Sequence, residues 1–335
     1  MSTIDEVAKL ANVSKTTVSR VINRHTTVKE KNRQKVLAAM EELNFKPNSF
    51  AQALASSRSN SIGMLVGTLG GPFFGVLMHH AEIELRRENI HLITSSGQET
   101  EEIERDGIRF LQSKMVDGMI IHADTLHDDE LIDIVKRYPK TVILNRNIPE
   151  ITEHCLFLDN ELGGYLATKY LIDTGHKQIG CLTGQLSKAD SRDRLFGYRK
   201  ALSEAGMPYN PSLVVEGRFD SETPIDAGKR LFERDLNVDA VFCQNDQLAL
   251  SMYTIAAEFG KVVGKDISII GYDNDHYTKH LQPSLTTMHY PLQDMAMLAV
   301  DKVLALVNGD KIYPSDMLKP WVVERNSVNT QNQIK

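Results

Sequence analysis

Lys15 and Thr16, with Arg20 about one helical turn later, stand in the run SKTTVSRVIN (14–23). Lys and Arg match the O6 and N7 acceptors of guanine, and Thr can meet a thymine methyl or form a hydrogen bond, so the trio suits the major-groove edge of a base pair. Ser14, Thr17, Ser19 and Asn23 around them suit phosphate oxygens. A second set of polar residues, His122, Asn145, Arg146, Asp246 and Asp273, falls at the carboxyl ends of apolar runs, where open α/β sheets bind ligands. Chemistry of bond making is not indicated. GxxxxGK[ST], HExxH, GxSxG and GxGxxG do not occur, no carboxylate pair has a catalytic spacing, and the eleven histidines form no Cys/His metal array. No cofactor is expected.

The charges divide as those two sets would require. Residues 1–60 hold 10 Lys/Arg against 5 Asp/Glu, a balance of +5, while the other 275 hold 28 against 39, a balance of −11. A basic head suits a polyanion and an acidic body does not. Three cysteines, Cys155, Cys181 and Cys243, stand far apart and suit a reducing cytoplasm rather than a disulfide framework. The start, MSTIDEVAKLANVS, carries charges where a signal peptide needs an apolar stretch, and no run of 18 apolar residues occurs, so secretion and membrane insertion are not expected.

Local signals set the elements that hold these residues. Thr3 with Glu6 spells a capping box opening a helix over 4–10, and Ser14 can cap a second helix that turns Val18, Val21 and Ile22 inward. Thr27 with Glu30 predicts another capping box, for a third helix carrying Val36, Met40 and Leu43. Helix, tight turn, helix and supporting helix form a helix-turn-helix over 1–46. Pro47 ends that unit, Asn48 or Ser49 can cap a weak Ala-rich helix over about 50–56, and SSRSNS reads as linker, giving a segment 47–60. From composition Leu54 is either part of a plain linker or an apolar wedge for a minor groove. Beyond 61, short apolar runs at 62–67, 91–96, 117–123, 141–146, 178–184, 212–217, 240–246 and 267–273 alternate with helix-length stretches, which predicts parallel sheets covered by helices on both faces.

The runs VSKTTVSRVIN and KPNSFAQALA resemble the DNA-binding head and hinge helix of the lactose/galactose-repressor (LacI) family. LNR (144–146), LDNELGG (158–164), RLFGY (194–198), QNDQLAL (244–250), ISIIGYDN (267–274) and PSLTTMHYP (283–291) extend the likeness along nearly the whole chain. AQALA, HADTLHDDEL and TMHYPLQDMA are most similar to the galactose repressors and isorepressors within it.

The resemblance implies a cytoplasmic homodimer that binds double-stranded operator DNA and leaves it when a small-molecule sugar effector closes a cleft. A corepressor-dependent regulator with a purine-like ligand is the alternative, and a sugar-binding protein without DNA function is a third. It also implies a periplasmic-binding-protein-like core over 61–335, with one doubly wound subdomain from 61–159 plus 292–308 and another from 160–290 plus 317–325. Leu54 would be the hinge wedge, with Asn48 beside it on DNA. Phe73 and Phe74 would pack against the sugar, unless they are core. Arg194, Asn245, Asp246 and Asp273 would bind hydroxyls with His122, Asn145, Arg146 and Asp159, although Asp246 also suits a helix cap. His176 is expected to be structural. Two departures stand out: Lys15-Thr16 replaces the Val-Ala of galactose repressors, and Gly71 precedes PFF where relatives carry Asn. The long heptad tail of the tetrameric lactose repressor is missing after VVERNSV, so a dimer is expected.

Overall fold

A computed structural model describes residues 2–22, 27–45, 58–218, 224–233, 237–314 and 317–330. Asn23, Asn48 and Leu54, and with them the expected hinge helix, lie outside the described residues. The chain divides into two units, Met1–Asn60 and Ser61–Lys335.

In the first unit the opening helix α1 spans Ile4–Leu10 and α2 spans Lys15–Ile22. The Thr3 hydroxyl accepts from the Glu6 N–H, and Glu6 accepts from the Thr3 N–H at 2.7 Å, so the capping box forms as the spacing predicts. Asn12, at φ +50°, makes the turn, a conformation that Asn tolerates better than most residues. Val7, Ala8, Ala11, Val18, Val21, Val36 and Ala39 close a small core beneath α3, Glu30–Glu42. The second expected box does not form. Lys29 occupies the cap position with no side-chain hydrogen bond, because the helix starts two residues too late for Thr27 to cap it.

The second unit alternates strand and helix: β1 Ser61–Val66, α4 Pro72–Arg87, β2 His91–Ser96, α5 Glu101–Ser113, β3 Gly118–Ile121, α6 Asp128–Arg137, β4 Thr141–Leu144 and β5 Cys155–Leu156. These strands form one parallel sheet in the order β2-β1-β3-β4-β5. The chain then crosses to α7 Asn160–Asp173, β6 Ile179–Thr183, α8 Ala189–Glu204, β7 Val214–Glu216, α9 Pro224–Glu233, β8 Ala240–Cys243, α10 Asp246–Glu258, β9 Ser268–Asp273 and β10 Thr286–His289. It returns for α11, Leu292–Asn308, and crosses again to β11, Trp321–Val323. The second sheet runs β11-β10-β9-β8-β6-β7.

The expectation of wholly parallel sheets needs one correction, since β11 is antiparallel to β10. β10 runs toward the cleft and leaves for the first subdomain. The chain comes back from the cleft side, so its next strand must point the other way. α11 explains that excursion: Leu292, Met295, Ala296, Ala299, Val300, Val303 and Val307 repeat at three- and four-residue steps and are buried in the core that contains α4 and β1. The first and third crossings pair where Leu158 bridges Leu318 and the Asp159 N–H donates to the Leu318 carbonyl at 2.8 Å.

Candidate functional site

On the head, Ser14, Lys15, Thr16 and Arg20 are exposed, while Thr17 and Ser19 are half-buried. Val18 and Val21 turn inward on the other side of α2, so the polar row is set by the same periodicity that makes the core. The Ser14 hydroxyl caps α2 through the Thr17 N–H at 3.2 Å and meets the Thr17 hydroxyl at 2.9 Å. Lys15 pairs with Asp5, both largely exposed, a contact of small energetic weight that a phosphate or base acceptor can replace.

In the second unit the carboxyl ends of both sheets face a cavity of about 340 Å³. Of the residues singled out in the sequence, Phe73, Phe74, His122, Asn145, Arg194, Asn245 and Asp273 line it. Phe73 stands edge-on to Phe74 and to Tyr290, with ring centroids 5.1 Å apart in each case, and Phe74 is edge-on to His122 at 5.0 Å. Phe74 is only 9 % exposed and lies under Gly67, so it is largely core, and Phe73 is the more open ring.

Arg194 is planted by a helix contact that glycine alone permits. A Cβ on Gly164 of α7 would lie 2.0 Å from the Arg194 carbonyl, and one on Gly197 of α8 would lie 2.1 Å from the Glu161 carbonyl. LDNELGG and RLFGY are therefore two halves of one close crossing. From it the Arg194 guanidinium lies over the Tyr272 ring at 3.8 Å, donates to Asn160 Oδ1 at 2.9 Å and to the Gln244 carbonyl, and comes within 4.0 Å of Asp190. Burial opposes its charge, yet Tyr272, Asp190, Asp273 and Tyr290 hold its pKa above the ordinary arginine value.

Three strand-end residues adopt left-handed backbone: Asn145 at φ +58°, Asp273 at +109° and Asn274 at +63°. Such strain costs on the order of 1–3 kcal/mol per residue and collects at ligand sites. Tyr290 donates to Asn145 Oδ1 at 3.2 Å. The Asp273 carboxyl is pushed well above the usual carboxylate range by burial, which Arg194 offsets only in part, with Asp275 and Asp246 adding repulsion.

Three of the expected residues sit elsewhere. Asp246 is fully buried behind the wall, accepting from the Thr287 hydroxyl at 2.6 Å and the Asp275 N–H at 2.8 Å, and it ties α10 to β9 and β10. The helix cap is Asn245, which accepts from the Leu248 N–H at 2.8 Å. Asp159 caps α7 through the Leu162 N–H, and Arg146 pairs with Asp128 and reaches the Ala123 and Leu126 carbonyls. Both line a larger groove of about 980 Å³ that shares Asp124, Asn145 and Asp190 with the cavity. His176 is buried, with Nε2 against Asn329 Oδ1 at 3.1 Å.

Sequence reasoning missed Glu99, Asp124, Lys188, Asp190, Gln247 and Asp275, all on the cavity wall. Asp190 carried a signal, standing four residues before Arg194 on the same helix face. Asp124 is positioned by Glu104, a buried carboxylate that accepts from the N–H groups of Asp124, Thr125 and Leu126 at 2.9–3.2 Å. Burial alone would raise the Asp124 pKa, but His122, Lys188 and Arg146 keep it below the ordinary value.

A helix-turn-helix unit followed by a two-lobed α/β unit with a ligand-sized cleft defines a class, the ligand-responsive DNA-binding regulators. Comparison with known proteins agrees. Residues 3–48 match the model of bacterial regulatory proteins of the lacI family, and 168–328 match a periplasmic binding protein-like domain. The chain is 36% identical to the HTH-type transcriptional regulator GalR of Escherichia coli K12, over 98% of this chain and 96% of that one. It is 38% identical to the HTH-type transcriptional repressor PurR of Vibrio atlanticus, over 99% and 100%. Its structure is similar to the lac repressor dimer bound to operator and the anti-inducer ONPF, with a TM-score of 0.87 at 28% identity, covering 98% of this chain and 99% of that one. The chain belongs to the lacI family and is a DNA-binding transcriptional repressor, not an enzyme. Among the described residues no helix is long and apolar enough to cross a membrane.

Proposed function

We propose that the protein represses transcription as a cytoplasmic homodimer on a two-fold operator, reads base edges with Lys15, Thr16 and Arg20, and is released when a sugar fills the cleft. Leu54 would act as the minor-groove wedge. The likeness to GalR and to PurR is too even to choose a ligand. The observation that supports a sugar is the lining of the cavity: one open aromatic ring, Phe73, shares it with carboxyl and amide acceptors and donors from Asp124, Asn145, Asp190, Asn245 and Asp273. Sugar hydroxyls donate to such acceptors, and each hydroxyl left unpaired in a closed cleft would be costly.

The test starts from a duplex selected out of random sequence by the full-length protein. Its occupancy is then followed as hexoses, disaccharides and purine bases are added. A fall in occupancy with a sugar is the expected result. Tighter binding with a purine would reverse the reading in favour of a corepressor.

A further inference from the structure

Lys188 precedes α8 in the second subdomain, yet its ammonium reaches the first. It pairs with Glu99, which follows β2, and lies 3.2 Å from Asp124, which follows β3. The lysine side chain is 8% exposed, Asp124 13% and Glu99 29%, so this contact is shut inside the cleft and little screened by solvent. Among the described residues the one other strong cation on the cavity wall is Arg194, which is engaged by Asn160, the Gln244 carbonyl, Tyr272 and Asp190. Against these two cations the wall sets five carboxyl groups, those of Glu99, Asp124, Asp190, Asp273 and Asp275, and His122 stands beside Asp124.

We propose that Lys188, Glu99 and Asp124 form a clasp that holds the two subdomains closed by the protein's own charges, and that the clasp thereby restricts the effector to sugars without an acidic group. The second half rests on the reading of the cleft as a sugar site, and the first half does not. Each part follows from the cost of charge in an enclosed space. Closing the clasp takes charge out of water, so it holds the subdomains together through the match of one ammonium with two carboxylates, and removing one partner leaves the others uncompensated. A phosphate or carboxylate on the ligand would need a cation that the cleft has already committed, and would face the remaining carboxyl groups at short range. On Lys188 itself burial works against the charge, and Asp124 and Glu99 more than offset it.

The clasp is tested without any ligand. His127 on the first subdomain and Phe196 on the second are both well exposed, and all three cysteines are buried, so His127→Cys and Phe196→Cys accept spin labels selectively. Electron–electron distance measurements on full-length protein should give a narrow distribution for the parent. Lys188→Met, and separately Glu99→Gln, should lengthen and broaden it. Unchanged distributions in both variants would overturn the clasp.

The ligand half is tested by calorimetry with glucose and galactose against their 6-phosphates and uronates. The acidic forms should bind roughly a hundredfold more weakly than the neutral ones. Glu99→Gln combined with Asp124→Asn, which removes the charges of two acidic neighbours of the ammonium, should narrow that gap by about tenfold. An acidic sugar that binds the parent as tightly as its neutral counterpart would overturn the restriction. If no sugar binds the parent, the sugar reading falls, and the distance measurement alone then decides the clasp.

Discussion

At the scale of single residues, the head and the cleft depend on side chains that are exposed or buried for opposite reasons. Lys15 and Arg20 are exposed on α2 because Val18 and Val21 occupy its inner face. Lys15→Ala and Arg20→Ala should each weaken operator binding by about 1–3 kcal/mol, as expected for loss of a guanine contact. Titration against operator and scrambled duplexes checks this; equal losses on both would mean phosphate neutralisation only. Asp275 illustrates the opposite case. Burial pushes its carboxyl up to about 6, the charge of His276 opposes that in part, and its N–H donates to the Asp246 carboxylate at 2.8 Å. The folded protein therefore holds this proton while the unfolded chain, with an ordinary value near 3.8, has lost it. Its contribution to stability is full below about pH 4 and disappears as the pH rises through about 6. Urea denaturation of the parent and Asp275→Asn from pH 4 to 7 should show the difference between them falling with pH, by on the order of 3 kcal/mol for a shift of about two units. A pH-independent difference would contradict the assignment.

At the scale of elements, what could be read from the sequence was what local pattern controls. The capping box of Thr3 and Glu6 and the inward Val18 and Val21 needed only neighbours in the chain. Fully buried runs such as SIGMLV betrayed central parallel strands. Thr27 with Glu30 had the right spacing and the wrong backbone, because packing of Val36 and Ala39 sets where α3 begins. β5 has two residues and β11 three, too short for a period, and each owes its existence to the partner strand it pairs with, β4 and β10. Lys188 escaped notice for the same reason, since Glu99 is 89 residues away. The glycines of α7 and α8 were visible as motifs, while their function, backbone contact between helices, needed the fold. Gly164→Ala must move α8 away from α7, because the obstacle is the Arg194 backbone. The expected cost is about 1–3 kcal/mol of stability with a loss of ligand affinity, measured by thermal unfolding and calorimetry. Unaltered affinity for the sugar would show that the crossing does not set Arg194.

At the scale of the whole molecule, a cleft and a DNA-reading helix matter to each other only if ligand and operator favour different states. Asp273→Asn keeps the size of the side chain and suits the left-handed backbone at that position, but removes a carboxyl from the cavity wall. It should bind operator as the parent does and require a higher sugar concentration for release, checked by operator titrations at fixed sugar. The central claim, that filling the cleft releases DNA, is tested most directly by the affinity of the full-length protein for its sugar with and without saturating operator. Coupling between sites is reciprocal, and typical values of 1–3 kcal/mol correspond to roughly 5–150-fold. The expected result is that operator-bound protein takes the sugar more weakly by a factor in that range. Equal affinity in the two states would contradict it.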